Sequence, residues 1–244
     1  MNQLILPLET FPRMTLSTLV IHRGIEASVT AIRNVYGNSG RPFPSLFLYG
    51  PPGTGKSHIL IAVIRLLADR SLPNYNASKI VMPEGVPPRV TELEDLVFKT
   101  DEELAQFCCI AIDDVHLLEG RDQGHMWNLF NKMTRVGAPL LMASRLPANE
   151  VFPEDPHLRS RINSGLVFGL DPPDDQVRIL ILDKMARDRN VRIPQEVSHY
   201  LVTRKSRNVK ELEKALEVLD RASLELKRRI TLPLLKTLEM QGKI

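Results

Sequence analysis

Cysteine is nearly missing from this chain of 244 residues: there are two, Cys108 and Cys109, adjacent in an apolar stretch. That usage excludes a disulfide framework and a cysteine metal site, and it suits a buried strand in a reducing cytosol. Long hydrophobic runs are missing as well. The apolar run Ile59 to Ile64 stops at Arg65, far short of the roughly 20 residues of a membrane span. The N-terminus lacks the basic-then-apolar order of a secretory leader, so a cytoplasmic protein with no membrane partner is expected. The six histidines show no metal-ligand spacing with one another or with cysteine, which leaves His58 and His116 as core or supporting groups. No internal repeat is visible.

What is present is an ordinary globular composition, 43% hydrophobic with 5% aromatic, enough for one sizeable core and a smaller second one. The net charge of +3 is uneven, because residues 201–244 hold 11 Lys/Arg against 6 Asp/Glu. A solvated cationic helix face explains this better than a nucleic-acid patch.

Short β-rich runs alternate with helical patterns: Ser45 to Tyr49, then Ser57 to Arg70; Phe107 to Ile112, then Asp122 to Arg135; Pro139 to Ala143; Leu166 to Leu170. The alternation predicts an α/β fold, a parallel sheet covered by helices. Residues 71–103, prolines mixed with acidic residues, read as a surface excursion with a short helix near Glu92 to Phe98. Trp127, Phe130 and Met133 lie on a helical pattern and read as packing residues. The punctuation Asp171 to Asp175 closes the alternating region, and Asp174 or Asp175 is placed to cap a following helix. Beyond it Val177, Leu180, Ile181 and Met185 follow helical spacing, as do Val209, Leu212, Leu216 and Leu219, so a small all-α lid-like domain is expected. The expected divisions are a tail at 1–12, an α/β domain at 13–170 and a helical domain at 171–244.

Between the first strand and its helix stands Gly50-Pro51-Pro52-Gly53-Thr54-Gly55-Lys56-Ser57. A triphosphate needs backbone N–H donors at close range, a cation at its β- and γ-phosphates and a hydroxyl for Mg²⁺. Gly50, Gly53 and Gly55 permit the tight loop, Lys56 supplies the cation and Ser57 the hydroxyl, at the N-terminus of the next helix. ATP or ADP with Mg²⁺ is therefore the expected cofactor. The apolar run ending at Ile112 runs into Asp113 and Asp114. A carboxylate at the C-terminal end of a strand beside the loop can hold Mg²⁺ through water, the part given to Asp113, while Asp114 is placed to orient the attacking water.

Together these pieces resemble the AAA+ ATPases of the DnaA/Hda group over nearly the whole chain. Leu48 to His58 is similar to that group's P-loop with its trailing histidine, and Ile112 to His116 to its Walker B segment. Thr15 to His22 resembles the segment that lies against adenine, which implies base contacts at Val20, Ile21 and His22, with Gly50 to His58 holding the phosphates. Leu141 to Pro147 resembles the sensor 1 strand and implies a γ-phosphate or water contact at Ser144. Leu158 to Arg161 resembles the box presenting an arginine finger, which implies that Arg161 acts in trans on a neighbour's nucleotide. Arg207 to Glu213 resembles sensor 2, with Lys210 where the group usually has arginine; lysine keeps the charge and loses the planar fork.

At the start, Gln3-Leu4-Ile5-Leu6-Pro7-Leu8 resembles a peptide that docks on the DNA sliding clamp: a glutamine amide for a polar pocket, leucines for an apolar cleft, and a proline that lowers the entropy lost on binding. After the helical region only Gln241 to Ile244 follow, so the helix-turn-helix domain for duplex DNA found in DnaA is not expected. The resemblance implies a regulator of replication initiation that binds the clamp and stimulates ATP hydrolysis on DnaA, acting negatively on initiation, with self-association through AAA+ interfaces. A weak ATPase of its own is compatible with Lys56, Ser57, Asp113 and Asp114. Two other readings stay open: a nucleotide-gated adaptor without turnover, and a DnaC-like helicase loader.

Overall fold

A computed structural model of the chain describes residues 14–37, 45–68, 90–107, 109–118 and 121–244. The peptide Gln3 to Leu8 and Cys108 lie outside the described residues. The chain divides into two units at Pro172/Pro173.

In the first unit, helix α1 (Glu26–Gly37) precedes strand β1 (Leu46–Tyr49) and helix α2 (Lys56–Ala68). Then come α3 (Val90–Phe98), α4 (Asp101–Leu104), β2 (Ile110–Ile112), a 3₁₀ turn (Val115–Leu117), α5 (Arg121–Val136), β3 (Leu140–Ser144), α6 (Ala148–Val151), α7 (Pro156–Asn163) and β4 (Leu166–Gly169). Among the described residues the four strands form one sheet, order β2-β3-β1-β4, and every pairing is parallel. A parallel sheet is covered on both faces, so its strands are apolar along their whole length. Alternate side chains then feed two cores. Phe47, Ile110, Ile112, Leu140 and Met142 face one, with Met126, Leu129, Phe130 and Met133 of α5. Leu46, Leu48, Ala111, Leu141 and Ala143 face the other, with Ile59, Leu60 and Val63 of α2 and with Val29 and Ile32 of α1. Cys109, just before β2, is fully buried there, and Trp127 packs from the side on the first core.

Strand β2 is shorter than the run Phe107 to Ile112: Phe107 accompanies the end of α4, its N–H bonded to the Leu104 carbonyl at 3.0 Å. Thr100 and Glu103 cap α4 reciprocally, and the Lys132 ammonium closes the carbonyls of Val97 and Lys99 at 2.5 and 2.7 Å, tying the end of α3 to α5.

The second unit is all helix: α8 (Asp175–Asp188), α9 (Gln195–Tyr200) running into a π turn (Leu201–Lys205), α10 (Val209–Leu226) and α11 (Leu232–Met240). Asp174 is the cap of α8, its carboxylate accepting the Val177 N–H at 2.8 Å. Leu212, Leu216 and Leu219 face the core as their spacing predicts, but the face of α8 is rotated from the expected one. Leu182 and Ala186 are buried, with Ile179 and Met185 beside them, whereas Leu180 is 55% exposed. The run Ile179 to Leu182 is apolar on every side, so spacing alone does not fix which side turns inward. Among the described residues no helix is long and apolar enough to cross a membrane.

Candidate nucleotide site

The end of β1 meets the end of β3, and the chain must turn sharply there to enter α2. Gly50 bends at φ 143°, followed by Gly53 at 81° and Gly55 at 91°, a region that favours glycine. At Gly50 space demands it as well: a β-carbon would stand 2.3 Å from the Leu170 carbonyl oxygen. The Gly50 N–H donates to the Ser144 carbonyl at 3.2 Å, which ties the loop to β3. Helix α2 begins at Lys56, so the unpaired N–H groups of its first turn and its positive end face the loop.

Lys56 is only 7% exposed. Its ammonium donates to the carbonyls of Gly50 and Pro51, both at 2.8 Å, and to the Thr54 hydroxyl at 3.4 Å. Thr54 in turn donates to the Pro51 carbonyl at 3.0 Å. The cation is thus held inside the curve of the loop.

At the end of β2, Asp113 and Asp114 are 3% and 5% exposed. Burial pushes the Asp113 carboxyl above the usual range, opposed by a hydrogen bond from the Ser57 hydroxyl, raised further by Asp114, and opposed by the Asp114 N–H and Lys56. The Asp114 N–H reaches Asp113 Oδ1 at 2.9 Å. Asp114 itself has left-handed backbone, φ 51° and ψ 39°. Its Oδ2 is buried with no hydrogen-bond partner, and its Oδ1 lies 3.8 Å from His116 Nδ1. Ser144, last residue of β3, is fully buried, and its Oγ accepts the Leu146 N–H at 2.9 Å. Phosphate-binding glycines, a buried cation, a hydroxyl in contact with a carboxylate and a second buried carboxylate with an unsatisfied oxygen are chemically suited to a nucleoside polyphosphate with Mg²⁺. Ser57 and Asp113 would hold the metal, a hard cation that takes oxygen ligands.

The segment Thr15 to His22 is pinned beside this loop. Thr15 and Thr18 bond to each other, and the His58 ring spans to them, Nε2 lying 2.9 Å from the Thr15 carbonyl and 3.3 Å from the Thr18 hydroxyl. The Leu19 side chain comes within 3.4 Å of where a β-carbon on Gly55 would sit. Past Ile21, which is 43% exposed, the Gly24 carbonyl accepts the Asp171 N–H at 3.2 Å, and the His22 Nδ1 accepts the Gly24 N–H at 3.2 Å. Val20, Ile21 and His22 follow directly on Leu19, the residue of this segment that reaches the loop. The His58 ring is turned to the polypeptide, toward Thr15 and Thr18.

Arg161 lies in the last turn of α7 and is exposed. The helix is fixed from beneath by buried Leu158 and Ile162 and capped by Asp155, whose carboxylate accepts the Leu158 N–H at 2.8 Å. Among the described residues its guanidinium makes no hydrogen bond or ion pair, and no carbonyl at the helix end takes it up. Lys210 belongs to the second unit, in the first turn of α10, beside the cap Asn208, whose Oδ1 accepts the Lys210 N–H at 3.0 Å. Desolvation lowers its ammonium from the usual range, opposed by Glu213. A cation at the positive end of a helix is unfavourable until an anion joins it.

The burial of Asp113 carries a test. A carboxyl whose folded value is raised contributes stability below its ordinary range and loses it as pH rises through the folded value. The nucleotide-free protein should therefore lose stability from about pH 4 upward through this group, and Asp113→Asn should raise its Tm at pH 7 more than at pH 4. Calorimetry at the two pH values checks this; a Tm lowered at pH 7 would contradict it.

Residues 11–169 match the family model of the bacterial DnaA ATPase domain, and residues 175–238 match that of the Hda lid domain. Among curated relatives, the replication initiator DnaA of Gloeothece citriformis is 29% identical over 86% of this chain and 47% of its own. That of Crocosphaera subtropica is 30% identical over 84% and 46%. The chain spans about half the length of these relatives. Domain III of Thermotoga maritima DnaA shares the fold with a TM-score of 0.79 at 24% identity, covering 93% of this chain and 96% of that one. DnaA of Aquifex aeolicus, solved with bound AMPPCP, gives 0.67 at 20% identity, covering 88% and 68%. The glycine loop, the buried acidic pair and the match across 11–169 lead to one conclusion: the chain belongs to the bacterial DnaA ATPase-domain family of AAA+ proteins, and it carries a lid of the Hda type.

Proposed function

We propose that this chain is a nucleotide-controlled regulator of replication initiation that docks on the DNA sliding clamp and stimulates ATP hydrolysis on DnaA. The observation that carries it is Arg161: a rigidly based, exposed guanidinium with no partner among the described residues, on a domain of the DnaA type with an Hda-type lid. A guanidinium brought to another subunit's γ-phosphate stabilises the charge that develops on the transferred phosphoryl. Within this reading the chain's own site holds ATP or ADP with Mg²⁺, and Ser144 and Asp114 face the γ-phosphate side.

The test is reconstitution of the full chain with ATP-loaded DnaA and DNA-loaded clamp. Conversion of bound ATP to ADP should accelerate only when chain and clamp are both present; an unchanged rate would sink the reading. Gln3→Ala with Leu4→Ala should weaken clamp binding by at least about tenfold, since both pocket groups are removed, as read by surface plasmon resonance. Undiminished affinity, or retention of the replicative helicase in place of the clamp, would refute the tail assignment.

Lys210 standing where the group usually has arginine favours a second reading, a nucleotide-gated adaptor without turnover of its own. Single-turnover hydrolysis by the purified chain, unaffected by Asp114→Asn, would support it.

A further inference from the structure

A further polar side chain, His116, is buried beside Asp114. His116 sits in the 3₁₀ turn that follows β2, between Val115 and Leu117, and its neighbours anchor that turn: Val115 and Leu118 are buried in the core under the sheet. The ring is directed back over the strand ends. Its Nδ1 accepts the backbone N–H of Arg145 at 3.4 Å, the residue that follows Ser144 at the end of β3, and the same nitrogen stands 3.8 Å from Asp114 Oδ1. The side chains of His116 and Asp114 are 9% and 6% exposed. His116 Nε2 and Asp114 Oδ2 are both buried with no hydrogen-bond partner.

Two unsatisfied buried polar atoms on neighbouring side chains are costly, and folded chains seldom keep them without a use. Nothing in local packing requires an imidazole: the turn is fixed by Val115 and Leu118. What the ring adds is a bridge between two strands. β2 runs directly into the carboxylates Asp113 and Asp114; β3 ends in Ser144, whose carbonyl takes the Gly50 N–H. Resting on the nucleotide-site reading above, we propose that His116 is a positioning residue for hydrolysis: by accepting the Arg145 N–H it holds the turn that follows Ser144 against the acidic segment it stands on, so that the groups at the ends of β2 and β3 meet the γ-phosphate as one unit. Burial keeps the ring neutral, with Asp114 opposing and the cations of Arg145 and Lys56 reinforcing. A neutral ring whose Nδ1 accepts the Arg145 N–H carries its proton on Nε2.

The role predicts a separation of binding from chemistry. His116→Phe keeps ring volume and removes the acceptor; His116→Asn keeps a short side-chain acceptor for the Arg145 N–H. In the full chain, ATP and ADP affinities in Mg²⁺ should stay within about twofold for both, because neither change touches the phosphate loop. Two readouts should move with His116→Phe: the preference for ADP with aluminium fluoride over ADP alone, and the single-turnover rate, each falling at least about tenfold. His116→Asn should recover both to within about threefold. Asp114→Asn should act as His116→Phe does, and the double variant should be no worse than either single one, as expected for residues that work as a unit.

A His116→Phe protein that matches the wild type in both readouts overturns the proposal. So does a His116→Asn protein as impaired as His116→Phe with an equally lowered Tm, which would make the residue merely structural. A wild-type chain that binds ADP yet neither tightens with aluminium fluoride nor hydrolyses ATP overturns the positioning role and leaves the nucleotide site standing. Failure of the wild type to bind nucleotide at all overturns the site itself.

Discussion

Arg161→Ala should reduce the acceleration of ATP hydrolysis on DnaA by at least about a hundredfold, since an arginine finger contributes about 10³–10⁵ in rate, while this chain's own nucleotide affinity stays unchanged. The selectivity follows from the geometry. Leu158 and Ile162 fix α7, Asp155 caps it, and the guanidinium makes no hydrogen bond or ion pair among the described residues, so its removal leaves the fold intact to within about 0.5 kcal/mol. Arg161→Lys keeps a positive charge but loses the fork that meets two phosphoryl oxygens, and it should fall between wild type and alanine. The reconstituted assay with labelled ATP on DnaA measures all three, and calorimetry supplies the stability control. Retention of acceleration within threefold by Arg161→Ala would end the case for a trans-acting finger on this helix.

Lys56→Ala should weaken ATP and ADP binding by about 10²–10³-fold. A buried ammonium close to phosphate oxygens interacts strongly with them, about 4 kcal/mol at 4 Å for an effective dielectric near 20. The nucleotide-free protein should also be destabilised, because the Gly50 and Pro51 carbonyls lose a charged donor that each meets at 2.8 Å; such bonds contribute about 1.5–3 kcal/mol. Nucleotide at about a hundred times its Kd stabilises wild type by about 2.7 kcal/mol, and at the same concentration that increment should fall to about 0.4 kcal/mol or less in the variant. Titration calorimetry gives the affinities and differential scanning calorimetry the stabilities. A Kd within threefold of wild type would remove the phosphate role from Lys56.

How far the sequence reached depended on whether an interaction was local. The glycine loop was legible because its chemistry is contained in eight consecutive residues, Gly50 to Ser57, and the strands were legible because parallel-sheet strands are apolar throughout. Asp174 as the cap of α8 was legible for the same reason, its bond reaching only to Val177. The face of α8 was not, because an all-round apolar run lets the tertiary packing choose. Nor were the partners of the two histidines. His58 finds Thr15 across 43 positions and Arg145 finds His116 across 29, pairings that exist only once β1, β2 and β3 lie side by side. The isolation of Arg161 is equally a property of the fold, since a sequence does not say which carbonyls a helix-end arginine will leave alone.

Among the described residues, three that are not glycine adopt left-handed backbone: Asp114, Asn190 and Lys227. Lys227 caps the end of α10 and Asn190 follows the end of α8, where such geometry is the ordinary way to stop a helix. Asp114 has no helix to stop. It holds this conformation at a cost of order 1 kcal/mol at the mouth of the sheet, and glycine would hold it more comfortably. Selection for thermal robustness alone should therefore drift toward glycine at position 114, and a lineage that abandoned nucleotide turnover would be free to take that step. The residue at this one position becomes a historical marker, recording whether the chain's ancestors still had use for a carboxylate there.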